Sequence, residues 1–471
     1  MSRIVLAYSG GLDTSVLLKK LVLEGNDVIA MTADLGESDA TTGDVAAELG
    51  RIREKAFALG AIDAVLIDAR ERFLKDFAYS ALRANAKYQG IYPLSAALSR
   101  PLIGALLVET AHAMRADTVA HGCTGKGNDQ VRIELAVRAL DPHLSARAPL
   151  REHPLSRPDA IAFAAEHGIL VRHTSERPYS IDANLWGRSI EAGILEDPWN
   201  APPEDAYAWT ASPHLRPAQP EEILVHFTEG VPKVTTGGGL RLTIPNEQGK
   251  AHESAGHENV ARASRGFPPA IPSASREVTS SSRASARESV HGVEGSASQH
   301  MPASGPEMVA ALNVLAGRHG VGRIDMVEDR VIGMKSREVY EAPAATVLLL
   351  AHQALERLVL TRDELRFKAA CDQKYAELTY DGLWMSPLRE ALDAFNAASA
   401  RRMTGDVRVR LHQGTATIVG VRSPFALYDE SLATYGKGDA FDHRAADGFI
   451  RLHGLPLDLV ARTQEYAKER V

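Results

Sequence analysis

Only two cysteines, Cys123 and Cys371, occur in 471 residues. They form neither a disulfide framework nor a CxxC pair, which excludes a stapled secreted scaffold and dithiol redox chemistry. Each reads as a small apolar residue. A basic excess is missing as well: the formal net charge is −7. No surplus of cations is available to release counterions from a polynucleotide, so no nucleic-acid partner is expected. No apolar run approaches the ~20 residues of a membrane-spanning helix, and no membrane partner is expected either. Arg3 is followed at once by a short apolar run rather than the core of a signal peptide, which leads to a cytoplasmic expectation. What remains is a chain with 45% hydrophobic residues, long enough for two or three domains with large cores.

The most informative segment is Ser9-Gly10-Gly11-Leu12-Asp13-Thr14-Ser15, directly after Ile4-Val5-Leu6-Ala7-Tyr8. The apolar run reads as a buried parallel strand, and Val16, Leu17, Leu18, Leu21 and Val22 carry the spacing of a following helix. A glycine- and hydroxyl-rich turn between strand end and helix start gathers amide N–H groups and the helix dipole, which suits an anion. Gly10 and Gly11 let backbone approach phosphate oxygens. Ser9, Thr14 and Ser15 add hydroxyl donors, and Asp13 is placed to hold magnesium against the phosphates. The turn lacks the lysine of GxxxxGK[ST] and is not a GxGxxG fingerprint. It resembles instead the PP-loop of enzymes that split ATP between its α- and β-phosphates.

Strand and helix patterns then alternate. Strands are predicted at 28–31, 64–67 and 118–120, and helices at 45–59, 73–86 and 102–114. Alternation of this kind predicts an α/β fold with a doubly wound parallel sheet, whose ligands bind beyond the carboxyl ends of the strands. Ser9-Gly10-Gly11, Ala33-Asp34 and His121-Gly122-Cys123-Thr124 all fall at such ends. The loop Gly122-Cys123-Thr124-Gly125-Lys126-Gly127-Asn128-Asp129 again links a strand to a helix. On that helix Asn128 and Arg132 share a face with Asp129 beside them. An amide, a carboxylate and a guanidinium together suit an amino-acid zwitterion. The same residues also fit an Asn cap with an Asp129–Arg132 surface pair, and both readings stand at this point.

Residues 180–200 show no clear period and read as an ordered irregular segment over a pocket, where Ser180 and Ser189 are either substrate contacts or turn residues. Leu224-Val225-His226-Phe227 reads as a strand. From about Asn246 to Ser304 the chain turns rich in Ser, Ala, Gly and Glu, too poor in apolar bulk to offset its ordering entropy, and is expected to be a disordered insertion. The spacing of its histidines matches no metal site. Beyond it come a helix near 309–315, a strand-like Val331-Ile332, a helix over 344–358 and a hairpin at 407–411 and 415–419. An amphipathic tail helix over 457–471 has to bury its stripe somewhere, for instance on a neighbouring subunit.

Four segments together carry a resemblance: AYSGGLDTS (7–15), HGCTGKGNDQVR (121–132), SIDANLWGRS (180–189) and IGMKSREVYE (332–341). The chain is similar in these to the argininosuccinate synthase family, whose members join citrulline to aspartate with ATP and release AMP and pyrophosphate. The resemblance implies a PP-loop nucleotide-binding domain over 1–170, a second α+β catalytic and multimerisation domain over 171–450, and a C-terminal oligomerisation helix over 451–471, usually in a homotetramer. It assigns Ala7, Tyr8, Ser9, Gly10, Gly11, Leu12, Asp13, Thr14, Ser15, Ala33 and Gly122 to ATP. Thr124, Asn128 and Asp129 fall to aspartate. Citrulline takes Tyr92, Asn128, Arg132, Ser180, Ser189, Glu328 and Tyr340. Asp13, Lys126, Asp129 and Arg132 are the implied catalytic set, with Asp129 holding the aspartate amine and a candidate to take its proton, and Mg2+ accompanies ATP. Two departures stand out: Ala97 where many members have a hydroxyl, and Glu338 where many have glycine. The rivals are another ATPase splitting the α/β bond and a nucleotide-binding scaffold without catalysis. Paired cysteines for thiolation and a glutaminase domain for amidation are both absent.

Overall fold

A computed structural model describes residues 2–36, 45–170, 179–237, 240–243, 301–302 and 305–463. Five parallel strands form the first sheet: β1 (Arg3–Ala7), β2 (Asp27–Asp34), β3 (Asp63–Asp68), β4 (Thr118–Ala120) and β5 (Ser145–Arg147), in the order β3-β2-β1-β4-β5. Residues along β1 alternate between two cores, as the two-residue period of a strand requires. Ile4 and Leu6 pack with Leu17, Leu21 and Val28 on one face, whereas Val5 packs with Ile29, Met31 and Val119 on the other. Chain order runs outward from β1 in both directions, so the crevice between β1 and β4 is the switch point where such sheets bind ligands.

The helix at Ser95–Met114 covers one face of this sheet and touches a second, antiparallel sheet. That sheet is ordered β12-β13-β7-β6, with β6 (Ser180–Asn184), β7 (Gly187–Glu191), β12 (Arg323–Asp329) and β13 (Lys335–Glu341). A third sheet joins β11 (Met301–Pro302), β10 (Leu240–Thr243), β9 (Val231–Gly237), β8 (Glu221–Thr228), β14 (Gly405–His412) and β15 (Thr415–Arg422) in that order. The helix Pro343–Val359 lies against β14 and β15. The predicted α/β architecture with a second α+β part is therefore present.

Several expectations need correction. Residues 180–191 are not irregular but a hairpin, β6 paired with β7. Its inward residues are polar yet satisfied, which hides the alternation: Asn184 Nδ2 donates to Ser95 O at 2.9 Å, and Arg188 Nη1 pairs with Glu341 Oε2. Val331 and Ile332 form the turn between β12 and β13 rather than a strand, closed by Gly333 at φ +83°. The helix expected over 73–86 begins at Arg70, passes through a π-turn at Phe73–Ala78 and ends at Arg83. The expected 102–114 helix starts earlier, at Ser95, despite Pro101 in its second turn. The tail helix spans Ala445–Thr463, and the last residues of its expected span lie outside the described residues. Most of the expected disordered insertion lies outside them too, but its end at 301–302 pairs with β10.

Candidate active site

The phosphate turn is built tightly. Gly10 has φ +75°, and a Cβ there would sit 2.9 Å from Ile52 Cγ1, so only glycine fits under the helix Val45–Ala58. Lys55 Nζ, from the same helix, donates to Gly10 O at 2.8 Å. Ser15 Oγ also reaches Gly10 O, at 3.3 Å, and lies 3.2 Å from Tyr8 Oη. Ser9 Oγ and Thr14 Oγ1 are 3.1 Å apart at the surface. Gly122 meets this turn: a Cβ on it would lie 3.3 Å from Thr14 Cγ2. Gly10→Ala is expected to raise the dissociation constant of a fluorescent ATP analogue about tenfold, because left-handed backbone costs an L-residue roughly 1–2 kcal/mol and Ile52 blocks the Cβ. An unchanged constant in the folded variant would remove the turn from the nucleotide site.

A cleft of about 710 Å³ opens beside the turn, lined by Ala7, Tyr8, Ser9, Thr14, Ala33, Gly122 and, on its far wall, Arg100, Asp129 and Asp182. That volume suits a nucleotide-sized ligand. A larger hollow of about 860 Å³ lies between residues 85–90 and the helices Pro343–Val359 and Arg362–Tyr380. It has no glycine-rich turn at a strand end, so the smaller cleft is the candidate.

Asp129, first residue of the helix Asp129–Leu140, sits between two arginines. Arg100 Nη2 is 2.9 Å from its Oδ2, and Arg132 Nη1 is 3.2 Å from its Oδ1. Burial alone would raise this carboxyl, but Arg100 and Arg132 outweigh it and hold the group below the usual range. A carboxylate that acidic is a weak base. The lowered carboxyl favours anchoring the ammonium over the expected uptake of its proton. The surface-pair reading fails as well, since Arg132 is 3% exposed. Nor does Asn128 cap the helix with its side chain. Its Nδ2 donates to Tyr380 Oη at 2.9 Å, and its Oδ1 accepts from Val331 N at 2.9 Å.

The other half of the site comes from the second part of the chain. Glu328 on β12 is buried, and its two oxygens each accept a phenol: Tyr340 Oη at 2.7 Å and Tyr380 Oη at 2.5 Å. Burial raises the Glu328 carboxyl; the two phenols, Arg132 and Arg330 pull the other way without cancelling the rise. Tyr340 stacks on Tyr92, ring centroids 4.0 Å apart, and pairs in register with Ser189. Arg132 Nε donates to Tyr380 O at 2.9 Å, while Arg132 Nη2 is buried with no hydrogen-bond partner. An orphan guanidinium donor of this kind is costly unless a ligand oxygen meets it.

Not every expected residue is gathered in. Asp13, Thr124, Lys126 and Ser180 are exposed at the surface. Leu12 packs into the apolar core, and the Ser15 hydroxyl is spent inside the turn. Ala97 is fully buried in the same core as Tyr92 and Tyr340; Ser95 Oγ, 3.3 Å from Tyr92 Oη, is a nearby hydroxyl. Glu338 accepts from Arg330 Nη2 and Ser336 Oγ, both at 3.0 Å. Burial, then Glu191 and Glu328, push its carboxyl up to about 7. The Cys123 thiol is pushed up to about 12 by burial and Asp129, in keeping with an unreactive role. Arg100, Asp182, Arg330 and Tyr380 were not anticipated. Tyr380 in particular sits on the apolar stripe of a helix, where an aromatic reads as core.

Among the described residues, no three His, Cys, Asp or Glu side chains gather as a metal cage. One carboxylate near the phosphate turn, Asp13, suits magnesium, which is held mainly by phosphate oxygens and water.

The description "Arginosuccinate synthase N-terminal HUP domain" matches residues 3–170, and "Arginosuccinate synthase C-terminal domain" matches 179–267 and 291–460. The chain belongs to the argininosuccinate synthase family. It is 45% identical to the argininosuccinate synthase of Gloeobacter violaceus over 98% of this chain and 99% of that one. Identity to the Geobacillus thermodenitrificans argininosuccinate synthase is 46%, covering 96% and 94%. A 4-thiouridine synthetase in complex with RNA and ATP overlaps 36% of this chain and 41% of its own at 17% identity and a TM-score of 0.27, too slight to bear on function. The protein is thus a ligase of arginine biosynthesis with an ATP-binding type of fold. Between 179 and 460, only 268–290 falls outside the family match.

Proposed function

We propose that the protein condenses L-citrulline with L-aspartate through a citrullyl-adenylate, converting ATP to AMP and pyrophosphate. The unmet Arg132 Nη2, buried beside Glu328 and Asn128, carries this reading. It is a fixed cation awaiting a carboxylate, next to a carboxylate that can take an ammonium, as an amino acid demands. Asp129 also lines the cleft assigned to ATP. A ureido oxygen is a poor leaving group; its attack on the α-phosphorus forms the P–O bond of the adenylate as the bond to pyrophosphate breaks. The turn at the N-terminus of the helix Leu12–Leu23 would meet the charge that develops on the leaving group. Magnesium, with Asp13 as its protein carboxylate, would neutralise further charge there. The aspartate ammonium, held by Asp129, gives one proton to solvent; the free amine then forms the C–N bond at the isourea carbon as the C–O bond to AMP breaks, and AMP departs with that electron pair. No covalent enzyme intermediate is required, because positioning the reactants can supply roughly 7–11 kcal/mol of the barrier.

Thr124, Asn128 and Asp129 are assigned to aspartate, and Tyr92, Asn128, Arg132, Ser180, Ser189, Glu328 and Tyr340 to citrulline; Lys126, at the exposed tip of its loop, is assigned to the catalytic set. The nucleotide domain is taken as 1–170, the catalytic domain as 171–450 and the tail as 451–471. A cytoplasmic homotetramer is proposed, supported by the exposed Phe449, Leu452, Leu455 and Leu459 of the tail helix. The purified protein, given citrulline, aspartate and Mg·ATP, is expected to form AMP and pyrophosphate only when both amino acids are present. Release without citrulline would favour another ATP-splitting ligase, and no turnover a scaffold.

A further inference from the structure

We infer that Tyr380 is a positioning residue that ties the aspartate and citrulline subsites together, so that the two amino acids bind cooperatively. This rests on the ligase reading above. Tyr380 ends the helix Arg362–Tyr380, far in sequence from the phosphate turn, and is fully buried. Its single hydroxyl spans two elements: it donates to Glu328 Oε1 on β12 at 2.5 Å and accepts from Asn128 Nδ2 at 2.9 Å. The same residue serves Arg132 twice. Its carbonyl accepts from Arg132 Nε at 2.9 Å, and its ring lies 4.6 Å from the guanidinium carbon. Tyr88 stacks on the opposite side, 3.4 Å between centroids, with its own hydroxyl donating to Asp329 O beside Glu328. The turn that follows is equally close, for a Cβ on Gly382 (φ +78°) would sit 2.9 Å from Arg132 Cα.

The proton count makes this contact informative. A phenol has one proton, and Glu328, a carboxylate with no proton to give, must receive it. Asn128 must then present its NH2 to Tyr380 and its carbonyl oxygen to Val331 N. Both ends of the amide are fixed, leaving one N–H free for a substrate carboxylate. Glu328 keeps lone pairs on both oxygens for an ammonium. Without the hydroxyl, Asn128 is free to rotate and Glu328 loses one of its two donors, so the aspartate side and the citrulline side are disturbed at once.

Tyr380→Phe keeps the ring, the stack and the carbonyl while deleting both hydrogen bonds. KM for citrulline and KM for aspartate are expected to rise together by roughly tenfold, the order of effect of a lost hydrogen bond to a charged group. KM for ATP should stay within about twofold and kcat should fall less than either amino-acid KM, a split that general loosening would not produce. Calorimetric titration of citrulline with and without aspartate, in the absence of ATP, gives a second readout independent of turnover. The unmodified protein is expected to bind citrulline more tightly when aspartate is present, and the variant equally in both cases. A wild-type citrulline affinity indifferent to aspartate would overturn the inference even with full ligase activity. So would a variant in which only one amino-acid KM moves, or in which KM for ATP rises equally. Should the phenylalanine variant unfold, Glu328→Gln weakens the same bond from its other end. There the rise in aspartate KM decides, because Glu328 itself is assigned to citrulline.

Discussion

Asp129→Ala is expected to abolish argininosuccinate formation, with kcat/KM for aspartate down by ~10³-fold or more, while a fluorescent ATP analogue binds within a few-fold of normal. The carboxylate is the one anion that Arg100 and Arg132 share. Removing a partly buried, doubly paired charge that on the proposed function also holds substrate costs roughly 2–5 kcal/mol, and each ~1.4 kcal/mol is a factor of ten. The nucleotide turn, by contrast, is held through Lys55, Ser15 and the Thr14–Gly122 contact, none of which touches Asp129. Some stability is lost too, since Arg132 loses its carboxylate partner. Asp129→Asn keeps the shape without the charge, and similar inactivity is expected from it. Full turnover in either variant would exclude Asp129 from the amine site.

Glu341→Ala is expected to produce the largest loss of stability. Glu341 is completely buried at the end of β13 and receives five donors: Arg188 Nη1, the backbone N–H groups of Ala208, Trp209 and Thr210, and the Thr210 hydroxyl. The alanine leaves Arg188 buried with its charge uncompensated, which costs about 3–5 kcal/mol. Every group facing the carboxylate is a donor. Glu341→Gln is therefore no rescue, because its NH2 would meet donors where an acceptor is required. Chemical denaturation followed by circular dichroism would show both midpoints well below that of the unmodified protein. A glutamine variant as stable as the parent would mean the carboxylate is not the hub of this network. Since Tyr340 neighbours Glu341 on β13, a loosened hub should also weaken citrulline binding in whatever fraction stays folded.

The inner strands of the parallel sheet were legible because they are buried on both faces and read as unbroken apolar runs, Ile4, Val5 and Leu6 having no exposure at all, whereas the short, half-exposed edge strand β5 was not. The phosphate turn was legible because glycine at φ +75° and hydroxyls at fixed offsets leave a local signature. The β6–β7 hairpin was not, since its buried Asn184 and Arg188 look like surface residues until their partners 89 and 153 residues away are known. Tyr380 and Arg100 were invisible for a related reason. An aromatic on a helix stripe resembles core packing, and Arg100 acquires meaning only when the fold brings Asp129 and Asp182 to it. Asn128, Asp129 and Arg132 stood out in the sequence as an ambiguous trio, because the burial of Arg132 and the bonds of Asn128 to Tyr380 and Val331 depend on distant segments.

The two halves of this centre also emerge from the ribosome at different times. Domains fold largely in order of synthesis, and the nucleotide turn is complete within the first 170 residues, whereas Glu328, Tyr340 and Tyr380 arrive more than 150 residues afterwards. On the proposed function, a half-made chain would carry the phosphate turn yet lack a seat for the partner that consumes ATP. Unfinished or truncated copies should be harmless to the cell's energy supply.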